Sequence, residues 1–215
     1  FIDGREEARL TFAGVTASVA LGEGTTLLLD LGGGSLEVAL ADPEGLRWGR
    51  SLPIGAGRMT GLLVGHDPPI REERKAVRGA VEEAVTPLVE DVAVAEPARC
   101  IASGGTAGAL ARVIAARRWS TPPASLNQYE VTVSELRELT RELAAVPLAD
   151  RLRVPGVDER RAELLPQAAW AMAAFDAWTA RSVALIPFSA PPMVPKAVRL
   201  APTMTRDWES LAMAA

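Results

Sequence analysis

The sequence predicts an α/β domain. Two observations carry this: three short apolar runs joined by tight turns between residues 25 and 52, and an alternation of helical and strand-like segments from residue 70 onward. In order, Glu6 to Ala20 sets Leu10, Phe12, Val15 and Val19 at helical spacings after an acidic first turn, as a helix docked on a sheet would. Thr25 to Leu31 is an apolar run bounded by Gly22-Glu23-Gly24 and Gly32-Gly33-Gly34. Leu36 to Ala41 and Leu46 to Leu52 follow it, with Asp42-Pro43-Glu44-Gly45 as the turn between them. Such short connections predict an antiparallel meander. Ile70 to Val94 reads as polar helix, Cys100 to Ser103 as the end of a buried strand, and Thr106 to Arg118 as helix. Val133 to Ala145 and Asp158 to Ala180 are two more helices, the second starting after Pro155-Gly156, and Ser182 to Ile186 is a last strand. The expected domain is therefore 1–186. From Pro187 the periodicity is lost among prolines, which predicts an irregular tail over 187–215 with at most a short helix at Arg206 to Ala214.

Composition narrows the function. The chain has 215 residues, 48% hydrophobic and 23% charged, as in an ordinary globular protein. Mean hydropathy is +0.13, and the longest uncharged stretch, Ser182 to Pro195, is interrupted by prolines, whereas a spanning helix needs roughly 20 apolar residues. No membrane span is expected. A net charge of −4 argues against a nucleic-acid-coating protein. The single Cys100 and single His66 supply neither a disulfide nor a soft-metal ligand set. With no initiator Met and no signal-peptide pattern, Phe1-Ile2-Asp3-Gly4 reads as the start of an excerpt from a longer, cytoplasmic protein. No internal repeat is visible.

The segment richest in chemical meaning is Leu28-Leu29-Asp30-Leu31-Gly32-Gly33-Gly34-Ser35-Leu36-Glu37, an apolar strand that delivers an aspartate into a triple-glycine turn. Three glycines permit φ > 0 and let N–H groups point into one concavity, the requirement for cradling a phosphate. Asp30 and Glu37 flank that turn, and Mg²⁺ favours one or two carboxylates together with water and phosphate oxygens. The plain alternative is a glycine hairpin with a solvated aspartate. A second turn, Ala102-Ser103-Gly104-Gly105-Thr106-Ala107, also follows an apolar strand and opens a helix whose free N–H groups suit an anion. Its alternative is a simple capped strand-to-helix turn.

Taken in order, Gly4-Arg5-Glu6-Glu7-Ala8-Arg9-Leu10, Asp30 to Glu37, Ser103 to Thr106, and Arg151 with Val154-Pro155-Gly156-Val157 and Arg161-Ala162-Glu163 resemble the exopolyphosphatase/guanosine pentaphosphate phosphatases over residues 1–186. The resemblance implies a ribonuclease-H-like domain of the actin, Hsp70 and sugar-kinase superfamily, a mixed sheet with helices packed on it. It further implies that this chain corresponds to the second of two such domains closing on a phosphorylated substrate. By the same resemblance Glu7 activates the attacking water, Asp30 and Glu37 hold Mg²⁺, and Gly32, Gly33, Gly34 and Ser35 form a phosphate loop. Ser103, Gly104, Gly105 and Thr106 form the second phosphate contact. Glu6 competes with Glu7, and the plain reading of Glu7 is a first-turn glutamate favoured by the helix dipole. The implied substrates are polyphosphate or guanosine pentaphosphate, and the implied partner is the N-terminal domain of the same protein. A homodimer is compatible with the sequence.

Three departures accompany the resemblance. The family's first phosphate loop is absent from this chain, Gln167 replaces a frequent glycine, and the run after Ile186 matches nothing in the family pattern. Outside the motifs, Arg71, Arg74, Lys75 and Arg78 share one helix face. They are read as a solvated surface with Arg78 paired to Glu82, or else as a track for polyphosphate. His66 is read as a loop residue, Cys100 as core, and Trp170, Phe175 and Trp178 as helix packing. Two rival functions remain: a nucleotide or polyphosphate sensor without turnover, and a small-molecule kinase of the same superfamily.

Overall fold

The structure, a computed structural model, describes residues 4–174 and 182–186, with side chains described over 6–174. Six strands form one mixed sheet: β1 (Thr26–Leu31), β2 (Leu36–Asp42), β3 (Gly45–Leu52), β4 (Arg99–Ser103), β5 (Tyr129–Thr132) and β6 (Ser182–Ile186), in the spatial order β3-β2-β1-β4-β6-β5. The first three make the expected antiparallel meander, because turns this short cannot cross over a sheet. β4 then pairs parallel to β1 and β6 parallel to β4, each reached through helical connections, and β5 closes the far edge antiparallel to β6.

The central strands β1, β2 and β4 are largely apolar on both faces because both faces are covered. Leu27, Leu29 and Leu31 of β1, with Val38 of β2 and Cys100 and Ala102 of β4, join the main core. Into it pack α2 (Ala56–Leu63), α3 (Arg71–Val85), α5 (Gly104–Arg118), α6 (Val133–Ala145) and α8 (Leu165–Ala173). On the opposite face Leu28, Ala39, Ala41 and Ile101 receive α1 (Gly4–Ser18) and the segment after it, through Phe12, Val15, Val19 and Leu21. α1 can lie close only because β3 offers Gly49, where any side chain would run into Ala8. Alternation along a strand thus sends its odd and even residues to different helices.

Several boundaries differ from expectation for local reasons. The expected helix from Ile70 to Val94 is divided by Pro87, which cannot donate to a helical turn, into α3, a 3₁₀ turn (Thr86–Leu88) and α4 (Val89–Ala95). The helix expected from Asp158 begins only at Leu165, with Pro166 in its first turn. Residues 158–164 form turns that end in α8, and the stretch expected to continue past 174, with Phe175 and Trp178, lies outside the described residues. α5 opens two residues earlier than expected, at Gly104. α2, β5 and the single turn α7 (Leu148–Arg151) were not expected at all. The proline-rich tail lies outside the described residues. Among those described, no helix is long and apolar enough to cross a membrane.

Candidate active site

A polar row crosses the otherwise apolar sheet near the C-terminal ends of β1 and β4. Asp30 faces Glu37 across the antiparallel pair, Glu37 faces Ser51 on β3, and Asp30 faces Ser103 on β4. Direct cross-strand partners share one face with Cβ atoms about 4.5–5.5 Å apart, so the two carboxylates are neighbours. Ser51 donates its hydroxyl to Glu37 Oε1 at 2.8 Å. All of these residues lie on the α1 side, since Leu28, Ala39 and Ile101, two positions away, contact that helix. Burial pushes the Asp30 carboxyl above its ordinary range, and the charge of Glu37 pushes it further. The hydroxyls of Ser103 and Thr11 oppose this, while the charge of Glu7 adds to the rise.

Glu7 and Thr11 are one helical turn apart on α1, so the helix that docks on the sheet also presents a carboxylate and a hydroxyl to Asp30. Glu6 turns elsewhere: Arg9 holds it at 2.7 Å on the exposed side of the helix and keeps its carboxyl below the ordinary range. Of the two candidate glutamates, it is Glu7 whose charge is felt at Asp30. Among the described residues no three His, Cys, Asp or Glu side chains gather closely enough to hold a metal ion by themselves. Asp30 and Glu37 form a pair.

The triple-glycine turn is built differently from the sequence expectation. None of Gly32, Gly33 and Gly34 adopts a left-handed backbone, so φ > 0 is not why glycine stands there. The reason is close approach. Gly55, at the start of α2, touches the turn so closely that a methyl group there would overlap the backbone of Gly33, Gly34 and Ser35. The first N–H groups of α2 are spent on the turn, Ala56 donating to Gly32 O at 3.0 Å and Arg58 to Gly33 O at 2.8 Å. In a trans peptide the N–H points opposite to the carbonyl, so fixing these two carbonyls against α2 aims the N–H groups of Gly33 and Gly34 away from it. Among the described residues neither N–H has a partner, and a Cβ at Gly33 or Gly34 would meet open space. The result is a pair of unpartnered N–H donors in the turn that follows the strand carrying Asp30. Sequence reasoning missed the clamp, although Pro53-Ile54-Gly55-Ala56-Gly57 is a glycine-punctuated segment that could have drawn attention.

The second glycine turn touches Asp30. Gly104 does have φ +92°, and a methyl group on it would collide with the Asp30 carboxylate. Thr106 is buried in the first turn of α5, and Ser103 is buried at the end of β4. Gly105 lies under the guanidinium of Arg161, which would be displaced by any side chain there. In the sequence Arg161 stands out only as part of the Arg161-Ala162-Glu163 motif. Its neighbour Asp158 is 3.9 Å away and also meets Arg112 at 3.4 Å, so it compensates the arginine only partly. An arginine above a helix N-terminus places positive charge at the positive end of a dipole. That arrangement is unfavourable alone and favourable around an anion.

Other residues singled out from sequence lie elsewhere. Cys100 is fully buried, which pushes its thiol up and leaves it inert. His66 pairs with Glu73 at 2.8 Å in an exposed loop. Arg78 makes no pair with Glu82 among the described residues, so that part of the expectation for the basic face fails; on that face Arg71 and Lys75 are exposed, whereas Arg74 and Arg78 are half-buried. Gln167 is buried in α8 with its Oε1 unpartnered.

Comparison with known proteins resolves the family. The Ppx/GppA phosphatase family matches residues 1–186. This chain belongs to that family. It is 31% identical over 188 residues to Exopolyphosphatase 1 of Mycobacterium tuberculosis, covering 86% of this chain and 54% of that protein. It is 31% identical over 166 residues to the guanosine-5'-triphosphate,3'-diphosphate pyrophosphatase of Aeromonas salmonicida, covering 77% of this chain and 32% of that protein. A solved exopolyphosphatase from Cytophaga hutchinsonii superposes with a TM-score of 0.75 at 26% identity, over 86% of this chain and 60% of that one. An Aquifex aeolicus member of the Ppx/GppA family shares the fold, with a TM-score of 0.72. The domain is thus ribonuclease-H-like, a fold with which its mixed sheet and helices on both faces agree. The chain spans about half the length of the first curated relatives it matches.

Proposed function

We propose that residues 1–186 are the second ribonuclease-H-like domain of a Mg²⁺-dependent phosphohydrolase that removes the terminal phosphate of polyphosphate or guanosine pentaphosphate. The observation that carries this reading is the place of Asp30, on the strand that enters the first glycine turn and against Gly104 of the second, with Glu37 opposite it and the charge of Glu7 felt there. Relatives named exopolyphosphatase and guanosine-5'-triphosphate,3'-diphosphate pyrophosphatase support the substrate class.

Asp30 and Glu37 suit a hard divalent cation: two adjacent carboxylates, with the Asp30 pKa raised by burial and further by the charge of Glu37. Such an ion would neutralise charge on the transferred phosphoryl group. The N–H groups of Gly33 and Gly34 would hold the oxygens of that group, and Arg161 with the first turn of α5 would hold a neighbouring phosphate. Glu7 would orient a water molecule and take its proton as the water oxygen attacks the terminal phosphorus. The bridging P–O bond then breaks, and the leaving phosphate keeps the electron pair. Inorganic phosphate release by the full-length protein, from polyphosphate and from guanosine pentaphosphate, with Mg²⁺ or with a chelator, tests this. Mg²⁺-dependent release from at least one substrate is expected. Tight substrate binding without release would instead favour a sensor, and phosphate transfer to an added alcohol would favour a kinase.

A further inference from the structure

One continuous segment, Gly55 to Glu73, touches the first glycine turn at one end and Arg151 at the other. Its first end is α2, which grips the Gly32 and Gly33 carbonyls. Its other end is a loop closed by Glu73, whose carboxylate accepts the N–H of Gly65 at 2.7 Å, the N–H of Ile70 at 3.0 Å and the ring Nδ1 of His66 at 2.8 Å. That closed loop presents Asp67. Asp67 accepts the N–H of Leu148 at 2.6 Å through one oxygen and pairs through the other with the guanidinium of Arg151.

Arg151 is the most deeply buried cation described, only 2% exposed, and burial lowers its pKa. A buried guanidinium persists only with a charged partner and accepting oxygens around it. Besides Asp67, its Nη1 makes long hydrogen bonds to the carbonyls of Ala162 at 3.4 Å and Glu163 at 3.5 Å, while Nε has no partner. Those two carbonyls directly follow Arg161, the residue that lies over Gly105. Nothing in the substrate-facing row requires this pair. Its geometry is that of a brace between a closed loop and the turn carrying Arg161.

We infer that Asp67 is a positioning residue: through Arg151 it fixes the 158–164 turn so that the Arg161 guanidinium stands over the N-terminus of α5 and meets a substrate phosphate. This rests on the assignment of Arg161 to phosphate binding made above. Asp67 never touches substrate, so its effect must pass through Arg161. Asp67→Asn keeps an oxygen for the Leu148 N–H but removes the charge facing Arg151. Arg151→Lys keeps the charge opposite Asp67 but loses the fork that reaches two carbonyls. A displaced Arg161 loses binding to ground and transition states alike, so KM rises while kcat holds.

The test is steady-state phosphate release by the full-length protein carrying Asp67→Asn, Arg151→Lys or Arg161→Ala, and by the double variants of the first two with Arg161→Ala. Thermal melting is followed in parallel. The expected result is a KM raised about tenfold by Asp67→Asn and by Arg151→Lys, and no further rise when either is added to Arg161→Ala, whatever happens to Tm. A purely structural role would add its effect in both backgrounds, and that result overturns the inference. So does a normal KM in both folded single variants when Arg161→Ala is impaired. If Arg161→Ala itself has wild-type kinetics, the assignment of Arg161 falls and the inference falls with it.

Discussion

Gly34→Ala separates what the triple-glycine turn does for folding from what it does for substrate. A methyl group at Gly34 meets no protein atom within 4 Å, and the backbone there is not left-handed, so neither a clash nor strain opposes alanine. Alanine restricts the unfolded chain, which at a compatible position stabilises by about 0.4–1 kcal/mol. In a domain of this size that corresponds to a rise in Tm of about 1–4 °C. On the proposed function, the same methyl group crowds a phosphoryl group held by the N–H groups of Gly33 and Gly34. Hydrogen bonds to charged groups contribute about 1.5–3 kcal/mol, so losing one lowers kcat/KM by about 10- to 150-fold. The expected Gly34→Ala protein is therefore at least as stable as the wild type and much less active, measured by thermal melting and by phosphate release on the full-length protein. Wild-type kinetics in a stable Gly34→Ala protein would show that no phosphate lies against this turn. A marked loss of stability would show that the turn is held otherwise than described.

Gly104→Ala should fail in both respects. Its φ of +92° costs about 1–2 kcal/mol with a side chain, and the methyl group displaces the Asp30 carboxylate, so melting temperature and turnover fall together. Glu7→Gln should lower kcat by about 10² to 10⁴-fold with KM nearly unchanged, whereas Glu6→Gln, whose carboxylate faces Arg9, should remain near wild type in the same assay. Asp30→Asn should weaken Mg²⁺ dependence and turnover together while stabilising the chelator-treated protein at neutral pH. The Asp30 pKa is higher in the folded than in the unfolded chain, so its charge opposes folding above the folded pKa. The opposition fades as pH falls and is gone below the ordinary value of 3.8. Melting curves in a chelator across this pH range should show the advantage of Asp30→Asn vanish in acid; an advantage that persists there would mean that Asp30 is not the strained group.

Local signals sufficed for much of this protein. The meander follows from apolar runs joined by short turns, and the Gly32 to Ser35 turn brings Asp30 opposite Glu37 because an antiparallel pair must match its residues outward from the turn. Of the expected stripe, Phe12, Val15 and Val19 mark the docked face of α1, whereas Leu10 is 48% exposed and Ala8, against Gly49, takes the place expected for it. The thirteen residues of α6 run from Val133 to Ala145, as their periodicity and the Thr132–Glu135 capping box dictate. What local pattern could not decide is everything that rests on distant pairing. Ser103 reaches the Leu29 carbonyl across 74 positions, and a parallel neighbour such as β4 is chosen by how helices pack on the sheet. α2 and β5 are too short for periodicity to separate them from loops. The role of glycine in Gly32-Gly33-Gly34 was misjudged because close contact with Gly55, not backbone sign, selects it. Glu7 and Glu6 are neighbours in sequence and equivalent in composition. Only the rotation of α1, set by Ala8 against Gly49, turns one toward Asp30 and the other toward Arg9.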